Sequence, residues 1–274
     1  MAGVKRPHAM TEQLKEPVTE QPKGHDDVSP FIPMFEQFRA ELDEHHDRRE
    51  RIIKTSRDVT AQSKKIIFAL QRNRDLGKPI HASIAKQTTP MLTTIQGLFQ
   101  TVVPDLQDIN AHRYQHNISG GIQEYMEAVL FQHYLETQRL MTFEDAAKTL
   151  SLQGLQLTCD DYLLGVFDMT GELMRFAVTN LATTATRSSR SSEDGQDLSV
   201  LADMQTLRSE LEALVVQGSR SLSKEYDSKL KTTKQSVEKV EASVYSMLVR
   251  GKERPKGWRP DADPRREAAE IESF

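Results

Sequence analysis

Asp161-Tyr162-Leu163-Leu164-Gly165-Val166-Phe167-Asp168-Met169-Thr170-Gly171-Glu172-Leu173-Met174-Arg175 decides both the kind of fold and the place to look for chemistry. At about 100° per residue, Asp168, Glu172 and Arg175 fall on one narrow stripe with Leu164 and Gly171. The rest of the circumference is apolar, through Leu163, Val166, Phe167, Met169, Leu173, Met174, Phe176 and Ala177. A helix apolar almost all round is a buried helix. Burying carboxylates costs several kcal/mol unless they are paired or hold a metal. A second stretch, Gly120-Gly121-Ile122-Gln123-Glu124-Tyr125-Met126-Glu127-Ala128-Val129, repeats the pattern. Glu124 and Glu127 are three apart and share a helical face. Gly120, Gly121, Ala128 and Phe131 lie near them, and the small residues among these admit a close neighbour.

Two readings of these four acids are open. In the first, Glu124, Glu127, Asp168 and Glu172 hold a hard divalent cation, Mg²⁺ or Mn²⁺, which prefers oxygen ligands. In the second, Arg175 neutralises Asp168 and Glu172 while the glutamates pair with bases elsewhere, because structural ion-pair networks also bring acids inside. A di-iron centre is disfavoured: that design wants Glu-x-x-His on two helices. Here Glu127 follows Glu124 by three and Arg175 follows Glu172 by three.

Working outward, Phe35, Phe38, Leu42, His45, Arg49, Ile52, Ser56, Val59, Ser63, Ile66 and Leu70 recur at steps of three and four. They predict a first helix from about Pro33 to Asp75, roughly 60 Å long, with four polar interruptions in a heptad seam. Those interruptions (His45, Arg49, Ser56 and Ser63) are expected to leave the seam partly facing solvent; the alternative is a polar lining to an internal cavity. A small domain does not cover such a helix alone, which points to an extended bundle or to neighbouring subunits. Gly77 and Pro79 break the chain. A second helix follows through Ile84 to Val102, with Pro90 inside and Pro104 at its end. A third runs from about Leu106 to Met141 and carries both glutamates. His133 lies opposite Glu124 on the wheel, whereas Arg113 lies near its face several turns back.

A short helix begins after Thr142, with acids in its first turn, and Asp160 is expected to cap the Asp168 helix. Residues 183–197, rich in Ser, Thr and Arg, read as a mobile loop. Two further helices follow, at 198–216 and 222–250; the lysines of the last one (Lys224, Lys229, Lys231, Lys234, Lys239) read as a solvated face. Residues 1–30 and 252–274 read as disordered ends. The fold class expected is all-α, an elongated bundle of about six to seven helices.

Bulk properties narrow the function. The 274 residues carry a net charge of −4, so nucleic-acid binding would need a local or borrowed basic surface. The apolar content of 37% and mean hydropathy of −0.57 fit long, partly exposed helices. The one cysteine, Cys159, excludes an internal disulfide and fits a reducing compartment. No apolar run approaches a membrane span and no signal-peptide core is visible, so a soluble intracellular protein is expected. Gly-rich phosphate loops, Cys/His clusters and serine triads are not in evidence.

Several stretches carry a family resemblance. Glu41-Leu42-Asp43-x-x-His46-Asp47, Glu50-Arg51 and Ser56-Arg57-Asp58-Val59-Thr60 are similar to the first helix of the translin family. Gln123 to His133 and Asp161 to Arg175 resemble its translin-associated factor X (TRAX) branch. Val237 to Gly251 is similar to both branches. The resemblance runs in order from about residue 33 to 251. It implies the translin fold and a hetero-octamer with translin, a closed shell whose cavity takes single-stranded RNA, with single-stranded DNA as a further ligand. It also implies Mg²⁺-dependent endoribonuclease activity in this subunit, in cytoplasm and nucleus. The catalytic residues would be Glu124, Glu127 and Asp168, with Glu172 as a fourth metal ligand. Glu172 is shared with translin proper, which has apolar residues at the other three positions. The chain departs from the family pattern in a shorter Leu150–Asp160 segment, a longer 183–197 segment and His116 in place of arginine. The rival reading is a non-catalytic helical scaffold that stabilises translin and binds nucleic acid or protein.

Overall fold

The computed structural model describes Ser29 and residues 31–186, 194–216 and 220–250. Seven α-helices run through them: α1 (Ile32–Leu70), α2 (Ala82–Val102), α3 (Ile109–Thr137), α4 (Phe143–Ser151), α5 (Cys159–Thr186), α6 (Asp194–Ala213) and α7 (Arg220–Arg250), with a 3₁₀ turn at Val103–Leu106 between α2 and α3. No strand occurs among the described residues, and the all-α expectation holds. No helix there is long and apolar enough to cross a membrane. The expected disordered ends, 1–30 and 252–274, lie outside the described residues apart from Ser29.

The chain divides into two compact units, residues 1–44 and 45–274. In the first, α1 begins with Phe35 and Phe38 edge to face at 6.1 Å. Phe31, Met34, Phe35, Phe38 and Leu42 are all exposed. The heptad seam read from the sequence is therefore open to solvent at its start.

In the second unit the same seam is core. Ile52, Val59, Ile66 and Leu70 are fully buried, each worth roughly 1.5–3 kcal/mol. Ser56 and Ser63 are buried with them, which corrects the expectation that they face solvent. The reason for Ser56 is a close helix contact. A Cβ placed on Gly121 of α3 would lie 2.9 Å from the Ser56 carbonyl oxygen, and the Gly121 amide donates to Ser56 Oγ at 3.0 Å. A larger residue than serine would hold α1 and α3 apart. Arg49 is exposed, as expected.

The central element is α5, packed on α3 and α7 and touched by α4 and α6. Its crossing with α3 is tight at one glycine. A Cβ on Gly165 would lie 2.8 Å from Met126 Cβ and 3.4 Å from both the Gln123 oxygen and the Glu127 nitrogen. Around this crossing Asp161 ties the two helices together. It is 2% exposed and accepts from Gln115 Nε2 (3.1 Å), Gln123 Nε2 (3.0 Å), Thr158 Oγ1 (2.8 Å) and Ser119 Oγ. On the other side, buried Thr170 and Thr233 share a hydroxyl contact of 3.1 Å between α5 and α7.

Helix ends differ from the sequence reading for local reasons. The first helix stops at Leu70, not Asp75, because Asn73 folds back: its amide donates to Leu70 O and its side chain to Asp75 O. Helix α3 stops at Thr137, not Met141, because Gln138 takes a left-handed conformation (φ 53°). Its side chain there reaches Ser199 and Asp203 of α6. Thr142 caps α4 as expected, accepting from the Asp145 amide. The α5 cap is Thr158, whose Oγ1 accepts from the Asp161 amide at 3.1 Å; the expected cap, Asp160, lies inside the helix. The expected loop at 183–197 is shorter than read, because α5 continues to Thr186 and α6 starts at Asp194. Residues 187–193 lie outside the described residues.

The Gly165 crossing makes a direct prediction. Gly165→Ala drives a Cβ into Met126 and into α3 backbone, and is expected to cost about 1–3 kcal/mol. Gly97→Ala, in a helix position with nothing within 4 Å, is expected to be neutral or to stabilise by up to about 1 kcal/mol. Urea denaturation of both variants checks this. Equal stability for the two would mean that the α3–α5 crossing is not tight.

Candidate metal centre

Because Gly165 lets α3 and α5 approach, the next turns of both helices meet. Glu124 and Glu127 come from α3, Asp168 and Glu172 from α5. The four acids of the sequence reading thus form one electrostatic cluster: the charges of Asp168, Glu124 and Glu172 all bear on Glu127. Glu127 is the innermost, 9% exposed. Among the described residues it has no hydrogen-bond or ion-pair partner. Its carboxyl is pushed up to about 8, first by burial, then by Asp168, Glu124 and Glu172, against a weaker opposing pull from Lys229.

The other three acids are paired. Lys229 of α7 places Nζ 2.5 and 2.6 Å from the two oxygens of Asp168. Lys64 of α1 lies 3.2 Å from Glu124 Oε1. Glu172 accepts from Gln71 Nε2 at 2.7 Å on its carboxylate and 2.9 Å on its backbone oxygen, and pairs with Arg175 at 3.3 Å. The sequence reading had Arg175 neutralising both Asp168 and Glu172. In the structure it reaches Glu172, and Lys229 takes Asp168. Lys229 was assigned to a solvated face, and that is corrected here. A signal did exist: three residues after Tyr226 and four before buried Thr233, Lys229 borders the apolar stripe of α7. For Gln71, beyond the end of α1, periodicity offered nothing.

The residues set apart in the sequence stay apart. Arg113 Nη1 contacts His45 Nε2 at 2.9 Å, and His45 Nδ1 meets Tyr114 Oη at 2.6 Å. His133 is half-buried, with its charge felt by Asp145 of α4. A cavity of about 330 Å³ lies away from the acids, lined by Arg72, Arg74, His81 and Gln87 among others.

The donor set suits a hard divalent ion in kind: four carboxylates, no sulfur and no imidazole. Buried, partnerless Glu127 is the position such an ion would satisfy. In their present arrangement, however, no three Asp, Glu, His or Cys groups among the described residues stand together as a ready metal cage. Asp168 is turned to Lys229 and Glu124 to Lys64.

Glu127 should mark the pH dependence of stability. Its folded value, about 8, lies above that of an unfolded glutamate, so the folded state holds the extra proton between about pH 4.5 and 8. Stability from this group is complete at the acid end and falls as pH rises, by up to about 1.4 kcal/mol per pH unit. In EDTA, urea denaturation from pH 5 to 7.5 should show that slope for the wild type and lose it in Glu127→Gln. Parallel curves would remove Glu127 from the buried, uncompensated position.

Comparison with known proteins follows the same lines. The translin family model matches residues 47–251. The chain is 32% identical to mouse (Mus musculus) translin-associated protein X over 251 residues, 83% of this chain and 82% of that protein. It is 33% identical to the translin-associated protein X homolog of Schizosaccharomyces pombe over 217 residues, 79% and 87% of the two chains. Human (Homo sapiens) translin is 26% identical over 234 residues, covering 80% of this chain and 92% of translin. In fold the chain is similar to the crystal structures of apo-NeC3PO and AfC3PO. The first has TM-score 0.59 at 17% identity, covering 78% of this chain and 96% of that one. The second has TM-score 0.58 at 21% identity, covering 79% and 98%. The chain belongs to the translin family, with higher identity to these translin-associated protein X relatives than to human translin.

Proposed function

We propose that this chain is the catalytic subunit of a hetero-oligomer with translin, a Mg²⁺-dependent endoribonuclease acting on single-stranded RNA in the cytoplasm and nucleus. The observation that carries the reading is Glu127: a buried carboxyl without a partner among the described residues, ringed by three more acids from two helices. A chain that only scaffolds has no use for that arrangement, which costs stability near neutral pH.

Glu124, Glu127, Asp168 and Glu172 would hold the ion, Mg²⁺ or Mn²⁺. A bound divalent ion supplies charge neutralisation at a phosphate and a water of lowered pKa. The remaining roles belong to the chain. Gln71 orients Glu172 through two hydrogen bonds from outside the acid-bearing helices. The Gly165 crossing keeps the α3 acids over the α5 acids. The Glu127 carboxyl, with a value near 8, is suited to exchange a proton near neutral pH.

Partnership is supported from two sides. Apolar side chains of the first unit, Phe35, Phe38 and Leu42 among them, are open to solvent and suit burial by another subunit. A net charge of −4 leaves the partner to supply basic surface, since phosphate contacts dominate nucleic-acid affinity. Single-stranded DNA would be held by the same contacts. The scaffold reading draws on one observation, the lysines seated on Asp168 and Glu124.

Cleavage of a labelled single-stranded RNA by the co-purified complex separates the two. EDTA, Glu124→Gln, Glu127→Gln and Asp168→Asn are each expected to lower the rate by about a hundredfold or more, with the oligomer intact by gel filtration. Cutting that persists in all four would leave the chain as a scaffold.

A further inference from the structure

Lys229 is a residue of the site that neither the four-acid pattern nor the family resemblance singled out. Its ammonium spans both oxygens of Asp168, at 2.5 and 2.6 Å. Among the described residues each is the other's only hydrogen-bond or ion-pair partner. The Lys229 side chain is 24% exposed and that of Asp168 35%. By contrast Lys64, which pairs with Glu124, and Arg175, which pairs with Glu172, are both 64% exposed. Exposed pairs of that kind contribute little. The least screened cation in the acidic cluster is therefore Lys229.

An ammonium seated across both oxygens of a carboxylate takes a lone pair from each and repels a dication beside it, so it competes with a metal for that carboxylate. This accounts for two findings together. Asp168 is held toward α7, and no three acids among the described residues converge as a cage. Glu127 meanwhile sits beside that pair without a partner of its own. The lysine is nonetheless easy to move. Its four-carbon stem is flexible, and α7 is anchored one turn on by the Thr170–Thr233 contact. The ammonium can leave while the helix stays.

We propose that Lys229 is a resident counter-cation of the acidic site: it holds Asp168 while no divalent ion is bound, and it must be displaced for one to bind. It is a positioning residue that sets the metal concentration at which the site loads. This rests on the metal reading of Glu124, Glu127 and Asp168 given above.

The test is Mn²⁺ binding by the intact translin complex, read as loss of free Mn²⁺ signal in electron paramagnetic resonance. Lys229→Met keeps the stem and removes the charge; it is expected to tighten Mn²⁺ binding about tenfold, equivalent to about 1.4 kcal/mol. Lys229→Arg keeps the ion pair and is expected to bind no more tightly than wild type. A second readout needs no variant. In the wild-type complex, labelling of Lys229 by an amine-reactive reagent should rise several-fold on adding Mn²⁺, while exposed Lys231 stays constant. Lys229→Met binding that is equal to or weaker than wild type would overturn the proposal, as would Lys229 labelling that is unchanged by Mn²⁺. If wild type binds no more Mn²⁺ than Asp168→Asn, the metal reading itself fails and the proposal falls with it. If wild type binds and Lys229→Met does not differ, only the role of Lys229 fails.

Discussion

One close contact, Gly165 of α5 against Gln123 to Glu127 of α3, sets the distance between the two helices that carry the acids. Everything that distinguishes the site follows from it. A side chain at 165 would separate the helices and let water reach Glu127. Without it the backbones approach, and Glu127 is covered by its own neighbours. Asp161 secures the same crossing a turn earlier, taking hydrogen bonds from Gln115, Ser119 and Gln123 on the face of α3 that leads to Glu127. The acids are thus positioned by rigid, buried helices, where a geometry useful for chemistry is held most firmly.

The electrostatic consequence is a site with too much negative charge for its depth. Four carboxylates meet three cations, of which Lys64 and Arg175 reach in from the solvent side. The remaining imbalance falls on Glu127, which is least exposed and has no partner, and its proton is held to about pH 8. Buried acids left so are destabilising. Under the function proposed above, a cation of higher charge would offset that cost.

The same chain shows a second incomplete surface, at its start. The heptad seam of α1 is continuous in sequence, yet its residues are core from Ile52 onward and exposed at Phe35, Phe38 and Leu42. Members of the family known as translin are related to this chain along most of its length, which makes a partner built on the same pattern of helices a natural cover for such a seam.

The sequence by itself determined the helical class, the existence and order of the seven helices except for their ends, and that Glu124 shares a helix face with Glu127 and Asp168 with Glu172. Those follow from periodicity, which is a property of neighbours in the chain. Tertiary structure decided what periodicity cannot carry. Ser56 and Ser63, polar breaks in a seam, became core because α3 presents Gly121 to the first of them. Gln138 ended α3 early because its left-handed turn places its amide on α6. Lys229, one lysine among five on α7, became part of the acidic site because it borders the buried stripe at the level where Asp168 of α5 stands opposite. In each case the outcome depends on which group stands opposite on another helix, a contact between residues far apart in sequence that only folding brings within a few ångströms.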